Sequence, residues 1–286
     1  MKIIDLFSGT GGFSLGFKRA GYEFTEHYFS EIDKHAIANY KHNFPNAKYI
    51  GDITTIHGRD FKGIDIITFG SPCQDFSLAG KRQGLTGDRS SLIKEAIRLI
   101  TDIRPSVFVW ENVKGAFSSN SGEDFTAILQ AFANIGGYRL EWQLLNTCWV
   151  LPQNRERIYL VGHLAERSEC GVFPIGEIGT NSHKKTRNIY NHSQTILRGY
   201  RDSSSIGSFI KREGGKIRYL TEIECERLQG FPDDWTKWGC YDGETKKIAK
   251  TNRYKLIGNA VTVDIVELIA RRIKIKKQKK HERFSI

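Results

Sequence analysis

Ile64-Asp65-Ile66-Ile67-Thr68-Phe69-Gly70-Ser71-Pro72-Cys73-Gln74-Asp75-Phe76-Ser77 sets a short apolar run against a rigid turn. Its first half, Ile64 to Phe69, has the length and composition of a buried strand bounded by turn residues. Pro72 fixes its own φ and pushes Ser71 toward an extended backbone, so the turn presenting Cys73 is stiff. Open α/β sheets bind their ligands off the carboxyl ends of parallel strands, and Cys73 falls at such an end. Beyond it, Gly80, Gly84 and Gly87 are interleaved with Lys81, Arg82 and Arg89. Long glycine-bearing loops beside a nucleophile can work as lids. Taken alone, Cys73 reads equally as a small buried apolar residue. The stretches around it decide between the two.

Upstream, Ile3 to Phe7 reads as a strand and Ser8-Gly9-Thr10-Gly11-Gly12 as a tight turn into a helix from Phe13. Such a turn lets backbone approach a ligand at a helix amino terminus, although the spacing is not that of a dinucleotide fingerprint. Phe24 to Ser30 reads as a second strand. Glu31 at its end is placed either to take ribose hydroxyls of an adenosine-bearing cofactor or simply to start a helix. Asp33 caps a helix over Lys34 to Asn43. A third strand near Ala47 to Ile50 leads into Gly51-Asp52-Ile53, a polar–apolar pair suited to an adenine amino group and face.

Downstream, Ser91 to Ile103 reads as a helix stopped by Arg104-Pro105, and Val107 to Trp110 as a buried strand closed by Glu111-Asn112-Val113. Glu111 could cap the next helix. Its apolar neighbours Trp110 and Val113 favour a desolvated acid with a raised pKa in the Cys73 crevice. A helix over Phe125 to Ile135 and strands around Tyr138 to Leu145 follow. Gln153-Asn154-Arg155-Glu156-Arg157 then precedes a strand over Ile158 to Gly162; its alternating arginines read as an anion or carbonyl clamp, or as exposed ion pairs. Thr221 and Glu224 form a capping box for a helix to Gln229. Gly258-Asn259-Ala260-Val261 opens a last helix through Ile269. Strands alternating with helices in this way predict an α/β fold.

The chain has 286 residues and 39% hydrophobic content, enough for one large domain and a smaller lobe. The amino-terminal residues lack the features of a signal peptide and no apolar run reaches membrane-spanning length, so no membrane association is expected. Cys73, Cys148, Cys170, Cys225 and Cys240 show no C-x-x-C or metal-ligand spacing. That pattern predicts a reduced cytoplasmic setting and no metal. Residues 1–150 carry 16 Lys+Arg and 16 Asp+Glu, whereas residues 151–286 carry 27 and 16 and so hold the whole net charge of +11. A neutral half joined to a basic half is expected of a protein that meets nucleic acid, although the tail from Arg271 to Arg283 could be a solvated helix end.

DLFSGTGGFSLGF (5–17), GSPCQDFS (70–77), ENV (111–113), QNRERIYLVG (153–162), RYLTEIECERLQGFPDDW (218–235) and YKLIGNAVTV (254–263) occur in this order over nearly the whole chain. In these motifs the sequence resembles the DNA (cytosine-5)-methyltransferases of bacterial restriction–modification systems. The resemblance implies an α/β, doubly wound, mostly parallel, Rossmann-like sheet dependent on S-adenosylmethionine, with a catalytic and cofactor-binding domain over 1–162. It implies a short target-recognition region over 163–218, part of a small basic lobe. Residues 219–286 then close the lobe and return to the catalytic domain. It implies catalysis by Cys73, Glu111, Arg155 and Arg157. Cofactor contacts carried over are Phe7, Gly9, Thr10, Gly11, Gly12, Glu31, Ile32, Asp52, Ile53, Pro72, Asn259 and Val261. The last helix is expected beside the first strand. The implied partners are double-stranded DNA and a cognate restriction endonuclease acting on the same site.

The residue types suit that chemistry. Carbon 5 of cytosine is a weak nucleophile until a thiolate adds to carbon 6, and thiolates are strong nucleophiles near neutral pH. Cys73 would attack, Glu111 would hold or protonate nitrogen 3, and Arg157, with Arg155, would contact the ring carbonyl. The base must first leave the duplex, and the loop from Gln74 to Ser90 would close over it. Lys81, Arg82 and Arg89 are candidate phosphate contacts; Lys184, Lys185, Arg187, Arg198 and Arg201 are candidate DNA contacts in the variable stretch. The neighbouring run Asp202 to Ser205 could be an inert loop. Only about 56 residues, His163 to Arg218, are available for recognition, which predicts a site of roughly four base pairs or a degenerate five. Methylation of RNA, and a non-catalytic or split DNA-binding protein, are the competing readings; the RLQGFP run argues against the first and an intact Cys73, Glu111 and Arg157 against the second.

Overall fold

The computed structural model describes residues 1–71, 90–176, 193–194, 209–211 and 217–276. In chain order it begins β1 (Lys2–Leu6), α1 (Gly12–Arg19), β2 (Glu26–Ser30), α2 (Lys34–Asn43), β3 (Lys48–Tyr49) and β4 (Ile66–Gly70). Then come α3 (Ser90–Ile103), β5 (Val107–Val113), α4 (Gly115–Ser118), α5 (Glu123–Ala133), β6 (Tyr138–Asn146), β7 (Gln153–Asn154), β8 (Glu156–Leu164) and β9 (Ser168–Glu169). The short strands β10 (Ser193–Gln194), β11 (Phe209–Lys211) and β12 (Ile217–Tyr219) precede α6 (Glu222–Leu228). The hairpin β13 (Trp238–Tyr241) and β14 (Glu244–Lys247), α7 (Lys250–Asn259), α8 (Val263–Arg272) and β15 (Lys274–Ile275) complete the order.

Seven strands form one sheet in the order β3-β2-β1-β4-β5-β8-β6. The first five are parallel, and β8 runs antiparallel to both β5 and β6. Strand order reverses between β1 and β4, so loops leaving neighbouring carboxyl ends diverge and leave a ligand crevice there. The mostly parallel, doubly wound expectation holds.

The parallel strands are apolar on both faces because helices cover both. Ile4, Leu6, Ile67, Phe69, Phe108 and Trp110 meet α3 and α5 on one face. Ile3, Ile66, Val107, Val109, Tyr159 and Val161 meet α1 and α8 on the other. Each large side chain so buried contributes about 1.5–3 kcal/mol. The last helix thus lies beside the first strand through Ile3, as expected. It approaches α1 closely: a Cβ on Gly16 would stand 2.5 Å from Val266 Cγ1.

Several boundaries differ from the sequence reading. Strand β5 carries Glu111-Asn112-Val113 inside its pairing with β8, where the reading placed them after the strand. The run Gly258-Asn259 ends α7, and a second helix starts at Val263, so this stretch does not open the last helix. Ala260 adopts an extended backbone between the two, a break that carries no proline to announce it. Strand β8 runs to Leu164, and Val172 and Ile175 beyond it are buried in the catalytic core.

Candidate active site

Two groups of residues meet the crevice. The first surrounds the turn after β1. Phe7, Gly9 and Gly11 all have positive φ, and Gly11 caps α1 in the left-handed region. A Cβ on Gly12 would lie 2.7 Å from Val261 Cγ2, so the α7–α8 connection is seated against the turn, while one on Gly9 would meet no described residue within 4 Å. The turn is thus closed on one side by protein and open on another to a ligand.

Carboxylates organise its rim. Glu31 Oε2 accepts from the Gly9 amide at 2.9 Å, and Oε1 accepts from Ile32 and Asp33 amides at 2.8 and 3.0 Å. Glu31 thus helps start α2, and Oε2 keeps one lone pair without a donor among the described residues. Asp33, as expected, is the true cap, accepting from His35 and Ala36. Asp52 Oδ1 caps the turn at Ile53–Thr55 through the Thr54 amide, leaving Oδ2 without a donor among the described residues. Ile32 is 75% exposed, an apolar surface beside these carboxylates, whereas Ile53 is buried in the core.

Residues to which sequence reading assigns no role strap this turn. Trp235 Nε1 donates to the Thr10 carbonyl at 2.9 Å. Asn39 pairs with the Thr10 hydroxyl and donates to the carbonyls of Trp235 and Trp238. Below the turn, Asp5 is buried and accepts from Thr68, Ser14 and Tyr40. Burial pushes its pKa up to about 7, against the pull of those three bonds.

The second group lies at the ends of β4, β5 and β8. Gly70 pairs in register with Glu111, and Glu111 with Tyr159. A Cβ on Gly70 would stand 3.2 Å from Glu111 Oε2. Glu111 and Arg157 share a sheet face, because the neighbouring pair is Val113–Arg157 and side chains alternate. Arg157 Nε is 3.1 Å from Glu111 Oε1 as an ion pair, and that buried oxygen has no other donor among the described residues. Burial raises the Glu111 pKa, and the Arg157 and Arg155 charges oppose the rise. The desolvated acid expected from sequence is therefore present.

Arg155 behaves differently from Arg157. It is 3% exposed and donates to the Ala260 carbonyl at 2.8 Å and, at the longer distance of 3.5 Å, to that of Gly258. Its cation thus grips the backbone on both sides of Asn259. The motif that supplies Arg157 to one pocket holds the link bearing Asn259 and Val261 to the other. Burial disfavours its charge and so does Arg157, while Glu111 favours it.

Cys73 and Pro72 lie outside the described residues, as do Lys81, Arg82, Arg89, Lys184, Lys185, Arg187, Arg198 and Arg201. The root of the Cys73 turn is described. Ser71 Oγ accepts from Trp110 Nε1 at 3.0 Å and Asn112 Nδ2 at 3.3 Å. Asn112 and Trp110, on either side of Glu111, therefore pin the chain two residues before Cys73 to the strand that carries the acid.

A doubly wound α/β fold with a glycine turn and a buried Glu–Arg pair at neighbouring strand ends defines the class. The family model for the C-5 cytosine-specific DNA methylase matches residues 1–204 and 172–275, and the chain belongs to that family. It is 31% identical to Type II methyltransferase M.Bsp6I of Bacillus sp. (strain RFL6), over 96% of this chain and 98% of that one. It is 33% identical to Type II methyltransferase M.NlaX of Neisseria lactamica, over 96% of each. The solved structure of S. pombe Dnmt2 methyltransferase shares the fold with a TM-score of 0.72 at 21% identity, covering 94% of this chain and 97% of that one. Entamoeba histolytica methyltransferase EhMeth does so at 0.70 and 16%, covering 94% and 96%. The protein is accordingly an enzyme that methylates carbon 5 of cytosine in DNA. Among the described residues no helix is long and apolar enough to cross a membrane.

Proposed function

We propose that the chain methylates a cytosine flipped out of a short, specific duplex sequence, with Cys73 as covalent nucleophile and S-adenosylmethionine as methyl donor. The observation that carries this is the buried Glu111–Arg157 pair at a strand end whose neighbour leads into Cys73. A carboxyl whose pKa is raised holds its proton where an ordinary glutamate has lost it. Glu111, buried and with only Arg157 beside its Oε1 among the described residues, suits nitrogen 3 of the base. As the Cys73 sulfur bonds to carbon 6, negative charge flows toward nitrogen 3 and the ring carbonyl, and Glu111 and Arg157 stabilise it there. Carbon 5 is then nucleophilic. Loss of its proton after methylation expels the Cys73 thiolate and restores the ring.

The rim of the glycine turn suits S-adenosylmethionine. Gly9 is open among the described residues, the spare lone pair of Glu31 Oε2 fits a ribose hydroxyl, and Asp52 with exposed Ile32 fits the adenine edge and face, with buried Ile53 supporting them from the core. When bound, the sulfonium supplies an electrophilic methyl group. Asn259 and Val261 would line the same pocket, held from behind by Arg155.

Phe7, Thr10, Gly11, Gly12 and Pro72 complete the proposed cofactor set. Lys81, Arg82 and Arg89 would bind phosphates; Lys184, Lys185, Arg187, Arg198 and Arg201 would meet DNA from the basic half. The Type II names of the relatives support a restriction endonuclease as partner, in the cytoplasm.

The test is base-resolved methylation mapping of DNA from a host expressing the protein. Methylated cytosine in one short sequence, lost in Cys73→Ser, is expected; labelled methyl groups entering RNA and not DNA would overturn the substrate.

A further inference from the structure

Glu141 of β6, His163 of β8 and Cys170, just beyond β9, bring three metal-ligating atoms within 4.8 Å of one another. The three come from separate segments, 22 and 7 positions apart in sequence, which is why cysteine spacing gave no hint of them. The His163 side chain is fully buried, and Nδ1 lies 2.8 Å from Ser168 Oγ. Ser168 Oγ donates its one hydrogen to the Lys274 carbonyl at 3.0 Å, so Nδ1–H is the donor to Ser168. In the neutral imidazole, the form that binds metal ions, the lone pair is then on Nε2.

Nε2 is 2.7 Å from Glu141 Oε1, a contact without hydrogen-bond geometry, and has no other partner among the described residues. Two lone-pair-bearing atoms thus stand side by side in a buried place, next to a thiol. A cation relieves that arrangement. The surroundings resemble an outer shell for one: Ser168 fixes the imidazole tautomer, and the Gly171, Val172 and Phe173 amides orient the carboxylate at 3.0–3.3 Å. Arg139, which donates to the Ser168 carbonyl, is the nearby positive charge that works against it.

We propose that Glu141, His163 and Cys170 bind a divalent transition-metal ion, zinc before others, with water as the fourth ligand. Mixed imidazole, carboxylate and thiolate ligands suit zinc, whereas magnesium and calcium take oxygen. Zinc–ligand bonds of about 2.0–2.3 Å place tetrahedral ligand atoms roughly 3.3 Å apart. The Glu141 and His163 atoms therefore separate by about half an ångström as Cys170 closes in. Cys170 is exposed, which gives the ion a route in. Binding releases the thiol proton to solvent and changes no oxidation state. The ion ties β6 and β8 to residues 168–173, and through Ser168 to the β9–β15 ribbon. The same segment leads on to the basic recognition stretch, so the ion would anchor its base.

The experiment uses the full chain, freed of metal by chelation, in a Cys73→Ala background so that the reactive thiol cannot compete. Zinc ion alone is titrated against a chromophoric chelator near neutral pH. One zinc per chain with release of a proton is expected. Cys170→Ser and Glu141→Gln should weaken it at least as much as loss of an outer-shell partner does, roughly 10–100-fold. Cys148→Ser and Cys240→Ser should not. Unfolding temperature measured in chelator checks that Cys170→Ser still folds. Binding well below one zinc per chain, or equal affinity in Cys170→Ser, would reduce the cluster to a His–Glu contact and overturn the proposal.

Discussion

The two carboxylates of the crevice, Glu31 and Glu111, sit at strand ends of one sheet yet live in different chemistry. Glu31 accepts from three backbone N–H groups and has no cation paired to it among the described residues. Glu111 is buried, with an arginine 3.1 Å from Oε1 and a pKa raised by burial. The first is arranged to hold a shape against which a ligand can rest. The second is arranged to change its proton affinity when a reacting base arrives. Perturbed acids mark chemistry, while saturated acids mark binding and structure.

The comparison is most exposed to Glu111→Gln. This isosteric change should lower kcat by roughly 10²–10⁴, the usual scale for a lost general acid, and leave cofactor affinity within about twofold. In the parent enzyme, the pH limb due to Glu111 should lie above the ordinary carboxylate range, since burial raises it, and should vanish in the variant. Equal turnover by both proteins would place Glu111 with Glu31 as scaffold.

Arg155→Lys comes next. It removes the fork that grips the Gly258 and Ala260 carbonyls, each bond from a charged donor being worth about 1.5–3 kcal/mol. We expect weaker cofactor binding by calorimetry, because Asn259 and Val261 loosen. Arg157→Lys should instead spare cofactor affinity and lower kcat. Identical profiles for the two arginines would erase the distinction drawn between them.

Glu31→Ala should cost about 1–3 kcal/mol in cofactor affinity with little change in kcat at saturation, the mirror image of Glu111→Gln. A kcat effect exceeding the affinity effect would contradict it.

The smallest effect is on stability. Asp5, raised to about 7, holds a proton that the unfolded chain has released above about pH 4, so its contribution falls as pH rises from about 4 to about 7. His27, lowered by burial to about 4, does the reverse between about 4 and 6.5. The slopes oppose each other, and Asp5→Asn should unmask the His27 slope: the difference in unfolding free energy between pH 6.5 and pH 4.5 becomes more positive. An unchanged pH profile would mean Asp5 titrates normally.

What the sequence revealed was local. Asp33 and the Thr221–Glu224 box cap their helices because capping depends on residues three apart. Apolar runs ending in glycine or acid marked strand ends, and so the crevice. Tertiary pairing was not legible. Nothing in Gly258-Asn259-Ala260 announces a break, which Arg155 holds from a distant strand. Trp235 reaches back 225 positions to the Thr10 carbonyl. Glu111 belonged to β5 because β8 continues antiparallel beside it, a partner no local period reveals.

The central claim, that a thiol two residues beyond Ser71 attacks a base held by Glu111 and Arg157, is tested most directly by trapping. A duplex of the methylated sequence carrying 5-fluorocytosine at the target cannot complete elimination, because fluorine replaces the proton that must leave. With S-adenosylmethionine present, the wild-type chain should form a DNA adduct stable to denaturation, mapped to Cys73. Cys73→Ser should form none, and Glu111→Gln should form it far more slowly. An adduct on Cys148, Cys170, Cys225 or Cys240, or rapid adduct formation by Glu111→Gln, would contradict the account.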